Sequence, residues 1–112
     1  MIHQRDLLLV PFPFSDQSGK KVRPVVVISN DGFNNHSEDV LVIGVTSIIK
    51  QDSYSVLLSP SDIEEGVLRD RCCAKVENII KIDKKLIIKK IGLVKLQAFH
   101  QILRLFKKII ES

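Results

Sequence analysis

The run Val25-Val26-Val27-Ile28 constrains this chain more than any other segment: four β-branched residues in succession, entered through Val22-Arg23-Pro24 and left through Ser29. Side chains branched at Cβ crowd a helix but pack well on a pleated strand. Successive strand residues point to opposite faces, so an unbroken apolar run predicts a strand covered on both sides. Arg23 then stands where a polar loop enters the core. Other short runs of the same kind follow. Leu7 to Phe12 is apolar and meets Pro11 and Pro13, which suit a strand ending at a sheet edge. Asp39 to Ser47 is a further apolar strand with Thr46 and Ser47 at its far end, and Tyr54 to Leu58, Arg71 to Ile82 and Leu86 to Ile91 read as more.

Between the strands, Ser15 to Lys21 is polar and contains Gly19, which predicts a loop, and Asn30 to His36 predicts a second. Ser61-Asp62-Ile63-Glu64-Glu65-Gly66 carries a Ser-x-x-Glu capping box and a closing glycine, which predicts a single helical turn. The period changes at Lys95. From there Leu96, Phe99, Ile102, Leu103, Phe106, Ile109 and Ile110 recur at three and four residues, the pattern of an amphipathic helix with Leu96, Phe99, Ile102, Leu103 and Phe106 facing the body. Roughly five to seven short strands, one turn and a terminal helix predict a mainly β fold: a small, strongly twisted antiparallel barrel with a C-terminal α-helix on its side.

At 112 residues, with no composition shift, repeat or linker, the chain is expected to form one domain over residues 1–112. An apolar content of 45% with 27% charged residues excludes disorder for most of the length, and no apolar stretch approaches the roughly 20 residues of a membrane span. The opening Met1-Ile2-His3-Gln4-Arg5-Asp6 lacks the layout of a signal peptide, so a cytoplasmic location is expected. Cys72 and Cys73 are adjacent and offer neither a disulfide framework nor spaced zinc ligands; two small strand residues are expected, and no metal. The net charge of +4 and a pI near 9.2 make nucleic acid a reasonable polyanionic partner.

No Walker loop, Gly-x-Ser-x-Gly elbow, His-Glu-x-x-His or dinucleotide glycine pattern is present, which removes the usual support for nucleotide hydrolysis, serine acyl transfer and zinc proteolysis. His3, His36 and His100 are scattered. What remains is polar groups at strand ends. Arg23 can present a fork of donors to a phosphate while Thr46 and Ser47 supply hydroxyls. The plain alternative is an arginine flanking a strand and a Thr-Ser pair making turn contacts.

Leu8-Leu9-Val10-Pro11-Phe12-Pro13-Phe14-Ser15-Asp16, followed by Ser18-Gly19-Lys20-Lys21-Val22-Arg23-Pro24-Val25-Val26-Val27-Ile28-Ser29 and then Val45-Thr46-Ser47, resembles the PemK/MazF toxins of type II toxin-antitoxin pairs. Gly66, Val76, Ile82-Asp83 and Ile91-Gly92 resemble the later strands of that family. The resemblance implies an SH3-like barrel and a homodimer that binds a cognate antitoxin. It also implies cleavage of single-stranded RNA without a metal or other cofactor, making the chain an mRNA interferase. It assigns Arg23 and Thr46 as catalytic, with Ser47 beside them and the Ser15 to Lys21 loop bordering the RNA groove; Ser18, Lys20, Lys21, Ser47 and Lys75 are the expected RNA-binding residues. Two residues depart from the family pattern: Arg5 before Asp6, where Gly-Asp is common, and Cys72, where serine is frequent.

Attack by a ribose 2′-hydroxyl requires RNA, stabilisation of charge on the phosphorane and a proton for the leaving 5′-oxygen. Arg23 suits the charge and the proton donation, Thr46 the orientation of the phosphate or hydroxyl, and the general base is unassigned, with His36 a candidate. Two other classes compete. One is a barrel that binds nucleic acid through Lys20, Lys21, Arg23 and Lys75 without cutting it, and the other is a gyrase poison of the same barrel type.

Overall fold

The computed structural model describes residues 1–12, 21–49 and 52–111. Seven strands run in the order β4-β6-β3-β2-β1-β7-β5, and every neighbouring pair is antiparallel. They are β1 (Asp6–Phe12), β2 (Lys21–Val27), β3 (Asp39–Thr46), β4 (Ser55–Leu58), β5 (Ile63–Gly66), β6 (Cys72–Asp83) and β7 (Lys89–Val94). The sheet curls into a half-barrel. Part of the bend is visible in the β3–β6 register, which jumps from Ile43↔Ile79 to Gly44↔Lys75 and so leaves extra β6 residues at a bulge.

Alternation along the strands sorts the apolar residues onto two faces. Leu7, Val26, Ile43, Val45, Val56, Ala74, Val76 and Val94 pack with Phe99 and Ile102 of the terminal helix α2 (Leu96–Ile110). Leu8, Val10, Val25, Val27, Val40, Val42 and Ile82 form a second cluster on the other face, closed by Ile2, Ile80 and Ile87. The Val25–Ile28 run thus feeds both clusters, as its unbroken apolar character predicts. Phe99 and Ile102 are almost wholly buried, and each contributes roughly 1.5–3 kcal/mol of apolar transfer. Among the described residues, no helix is long and apolar enough to cross a membrane.

Several sequence expectations are corrected. Residues 31–36 are a short helix, α1 (Asp31–His36), in place of a loop; the Asn30 side chain caps it by accepting from the Phe33 N–H at 2.8 Å. The predicted turn at Ser61–Gly66 is a 3-10 turn over Pro60–Asp62 followed by β5. Its reciprocal cap uses Ser59 and Asp62, with Pro60 at the first position, so the turn ends in time for Ile63 to be buried. On α2, Leu96 and Leu103 are exposed, while Ala98 joins Phe99 and Ile102 inside and Leu105 and Phe106 pack at the margin. The helix rests chiefly on β4 and β6.

β1 lies inside the sheet, not at an edge. Pro11 is tolerated because Leu9 faces β7, accepting from the Ile88 N–H, and Pro11 faces the same side two residues later, beyond the last β7 pair. Arg5 enters β1 at φ +78, the left-handed region that glycine adopts freely. Its guanidinium donates to the Val94 carbonyl at 2.9 Å and pairs with Glu64 at 3.2 Å, which anchors this position.

Candidate active site

The site begins with a missing donor. Leu9 turns its polar backbone groups toward β7, so its partner across β1–β2, Pro24, turns toward β3. Proline has no N–H to give, and the β2–β3 ladder ends one residue later, at Val25↔Gly44. Continuing that register by two positions sets Arg23 opposite Thr46, where the strands part. By alternation both side chains share the face of Val25, Val27, Val40 and Val42.

Arg23 is half-buried and, among the described residues, has no hydrogen-bond or ion-pair partner. The Thr46 hydroxyl oxygen accepts from the Ile48 N–H at 3.1 Å. That is the turn contact expected of a Thr-Ser pair, and it leaves the hydroxyl proton available for donation.

A cavity of about 430 Å³ lies at this rim, lined by Val22, Arg23, Pro24, Val45, Ser47, Leu68, Arg69, Asp70, Arg71 and Cys72. Arg23 and Ser47 therefore meet in one cavity, while Thr46 stands beside it on the strand. Val22, Pro24 and Val45 alternate with Arg23 and Thr46, so the cavity is reached where the sheet ends rather than through one face. Cys72 is 6% exposed, and its thiol is pushed up to about 11 by burial first and by neighbouring Cys73 second. It forms a small neutral wall and, unlike serine, offers only weak hydrogen bonding.

Other candidates fall elsewhere. Lys75 is tied to Asp52 by a short ion pair and approaches Glu77 at 3.5 Å. The Lys75 hydrogen bond first, then those from Ser55 and the Tyr54 N–H, hold the Asp52 carboxyl at about 2, and Asp52 in turn raises Lys75. Lys75 does not line the cavity. Its charge is already balanced by carboxylates, which weakens it as an RNA contact. His36 sits on α1, where a ring nitrogen bonds the Gly32 carbonyl at 2.8 Å. The whole of β3 separates it from Thr46, roughly 20 Å at about 3.3 Å per residue, so it cannot serve as the base there. Ser18 and Lys20 lie outside the described residues; Lys21 opens β2, with its side chain likewise outside the description.

The sequence reading missed Arg69, Asp70 and Arg71, which the chain delivers to the cavity from the turn between β5 and β6. Two arginines flanking a turn residue just after Gly66 are the signal that was there to be read. Among the described residues, no group of three or more His, Cys, Asp or Glu is placed to hold a metal ion.

Residues 3–110 match the family described as PemK-like, MazF-like toxin of type II toxin-antitoxin system. Solved structures with the same fold include the Mycobacterium tuberculosis toxin MazF-mt6 (TM-score 0.76, 15% identity, covering 93% of this chain and 94% of that one). An endoribonuclease in complex with its cognate antitoxin from a mycobacterial species superposes at TM-score 0.78 and 18% identity, covering 96% and 93%. A MazE-MazF complex from Deinococcus radiodurans gives 0.78 and 15%, covering 97% and 95%. At these identities the likeness is one of fold. Comparison with curated proteins returned no match.

Proposed function

The chain belongs to the PemK-like, MazF-like toxins of type II toxin-antitoxin systems, and we propose that within this family it is the toxin that cuts single-stranded RNA at Arg23. The observation that carries the reading is the state of that guanidinium. It is half-buried, unpaired among the described residues and on a cavity shared with Ser47 and two further arginines. A structural arginine at a strand end normally finds a carboxylate or a carbonyl; this one has its donors available for a phosphate.

In the reaction, a ribose 2′-hydroxyl gives up its proton to solvent water as its oxygen attacks the adjacent phosphorus, the phosphorane gathers negative charge, and the P–O5′ bond breaks. The fragments carry a 2′,3′-cyclic phosphate and a 5′-hydroxyl. Arg23 stabilises the charge on the non-bridging oxygens and donates hydrogen bonds toward the leaving oxygen. A guanidinium carries donors and no acceptor, so Arg23 acts as cation and hydrogen-bond donor rather than as base. Thr46 orients the phosphate or the nucleophilic hydroxyl through its remaining O–H.

The same reading supplies the partners: a cognate antitoxin that competes with RNA, and a second copy of the chain. The mycobacterial endoribonuclease with its antitoxin and the Deinococcus MazE-MazF complex support the antitoxin by likeness. The test uses purified protein and labelled RNA. Cleavage is expected to leave 2′,3′-cyclic phosphate ends and to stop when 2′-deoxyribose stands at the cut position, while binding continues. Cleavage of the deoxy substrate would refute attack by the 2′-hydroxyl, and a wild-type protein that leaves RNA intact while arresting DNA supercoiling would move the function to gyrase.

A further inference from the structure

We propose that the Arg69-Asp70-Arg71 turn is a second phosphate-binding subsite, holding the RNA phosphate next to the one cleaved at Arg23. The proposal rests on the ribonuclease reading only for the identity of the polyanion. Three arginines, Arg23, Arg69 and Arg71, line one cavity of about 430 Å³, and Asp70 is the single acidic residue among its described lining residues. Several cations elsewhere are paired with carboxylates: Arg5 with Glu64, Lys75 with Asp52, Lys81 with Asp39 and Lys90 with Asp6. The cavity arginines have no such pairing among the described residues, and Arg69 and Arg71 are both exposed.

Like charges gathered around a concave site repel one another, and an anion bound between them relieves the repulsion. Guanidinium forks match phosphate oxygens with paired donors. Arg23 comes from β2 and the other two from the turn that starts β6, so the cationic groups border the cavity from different elements. A single strand laid through it meets them in succession, one phosphate at the cleaving arginine and its neighbour at the turn. Bases are not needed for this contact, so the subsite contributes affinity and register rather than sequence choice.

The experiment measures binding of a random-sequence pool of short single-stranded RNA carrying 2′-fluoro in place of every 2′-hydroxyl, which cannot be cut, across a range of salt. Arg69→Ala and Arg71→Ala are each expected to weaken binding roughly threefold to tenfold near 0.1 M salt and to lower the salt slope by about 0.7. Arg69→Lys keeps the slope, because an ammonium still neutralises a phosphate. Lys81→Ala removes the same charge at the opposite end of β3 and leaves the slope unchanged. Thermal melts of all variants are expected to match wild type, and Lys81→Ala is expected to cut natural RNA at the wild-type single-turnover rate. Wild-type affinity and slope in both alanine variants, with cleavage intact, would overturn the subsite and leave the ribonuclease standing. Weaker binding with an unchanged slope would also overturn it. Arg69- and Arg71-dependent binding by a wild-type protein that cuts no RNA would uphold the subsite and refute the cleavage, and a wild type that does not bind the pool would refute both.

Discussion

Replacing Arg23 with alanine separates what this arginine does for the fold from what it does for the chemistry. Among the described residues no hydrogen bond or ion pair is lost with the guanidinium, and the side chain is only half-buried at a point where β2 and β3 have already parted. The stability cost is therefore the packing of the aliphatic stem, within about 1 kcal/mol. The catalytic cost is of another size. Loss of one preorganised donor to a developing oxyanion removes roughly 2.7–4 kcal/mol of transition-state stabilisation, or about a hundredfold to a thousandfold in rate. Arg23→Lys keeps the charge and loses the planar fork, so it is expected to recover only a small part. Thr46→Ala is expected to be milder than Arg23→Ala, because a neutral hydroxyl contributes less than an ionic donor. The assay is single-turnover cleavage of labelled RNA at saturating enzyme, beside a thermal melt of each variant. An Arg23→Ala protein that melts like wild type and cuts at the wild-type rate would refute the reasoning.

Two further outcomes follow from the described geometry. Arg5→Gly is expected to be more stable than Arg5→Ala by about 1 kcal/mol in chemical denaturation, since both lose the contacts to Val94 and Glu64 but only glycine relieves the left-handed backbone; an alanine variant as stable as the glycine one would contradict this. Asp52 is held at about 2 against an ordinary 3.8, so the folded form binds its proton less readily than the unfolded form; its contribution is present above pH 4 and lost as pH falls through about 2. Carboxyl chemical shifts followed by NMR in wild type and Lys75→Ala check it, and an Asp52 midpoint that stays low without Lys75 would refute the assigned cause.

Much of the sheet was legible because strand formation is signalled locally. The β-branched run at Val25 and the apolar segments ending at Phe12 and Thr46 lie in observed strands, and the change to a three-four spacing marks α2 to within a residue of Leu96. Boundaries failed where a short polar segment was decided by a few hydrogen bonds: α1 depends on the Asn30 cap and on Asn34, which is buried against Ser29, and β5 on the pairing of Ile63 with Val94 and of Gly66 with Gly92. Gly66 at φ +88 illustrates this, since a Cβ there would meet the Ile91 carbonyl at 2.1 Å, a constraint imposed from across the sheet.

The sequence by itself determined most of the strands, the terminal helix, and the positions of Arg23 and Thr46 at the ends of apolar runs, because residue preference and periodicity act within a few residues. Only the tertiary structure decided which charges remain available. Lys75 looks like a binding residue in the sequence, but register places it beside Asp52, across the β4–β6 pairing, and within reach of Glu77. Arg71 reads in the sequence only as the start of a strand and Arg69 carries no signal of its own, yet the turn brings both to the cavity of Arg23, more than forty residues earlier in the chain. Electrostatic partnership depends on distance in space, and distance between remote residues is set by strand register and sheet curl, neither of which any local segment contains.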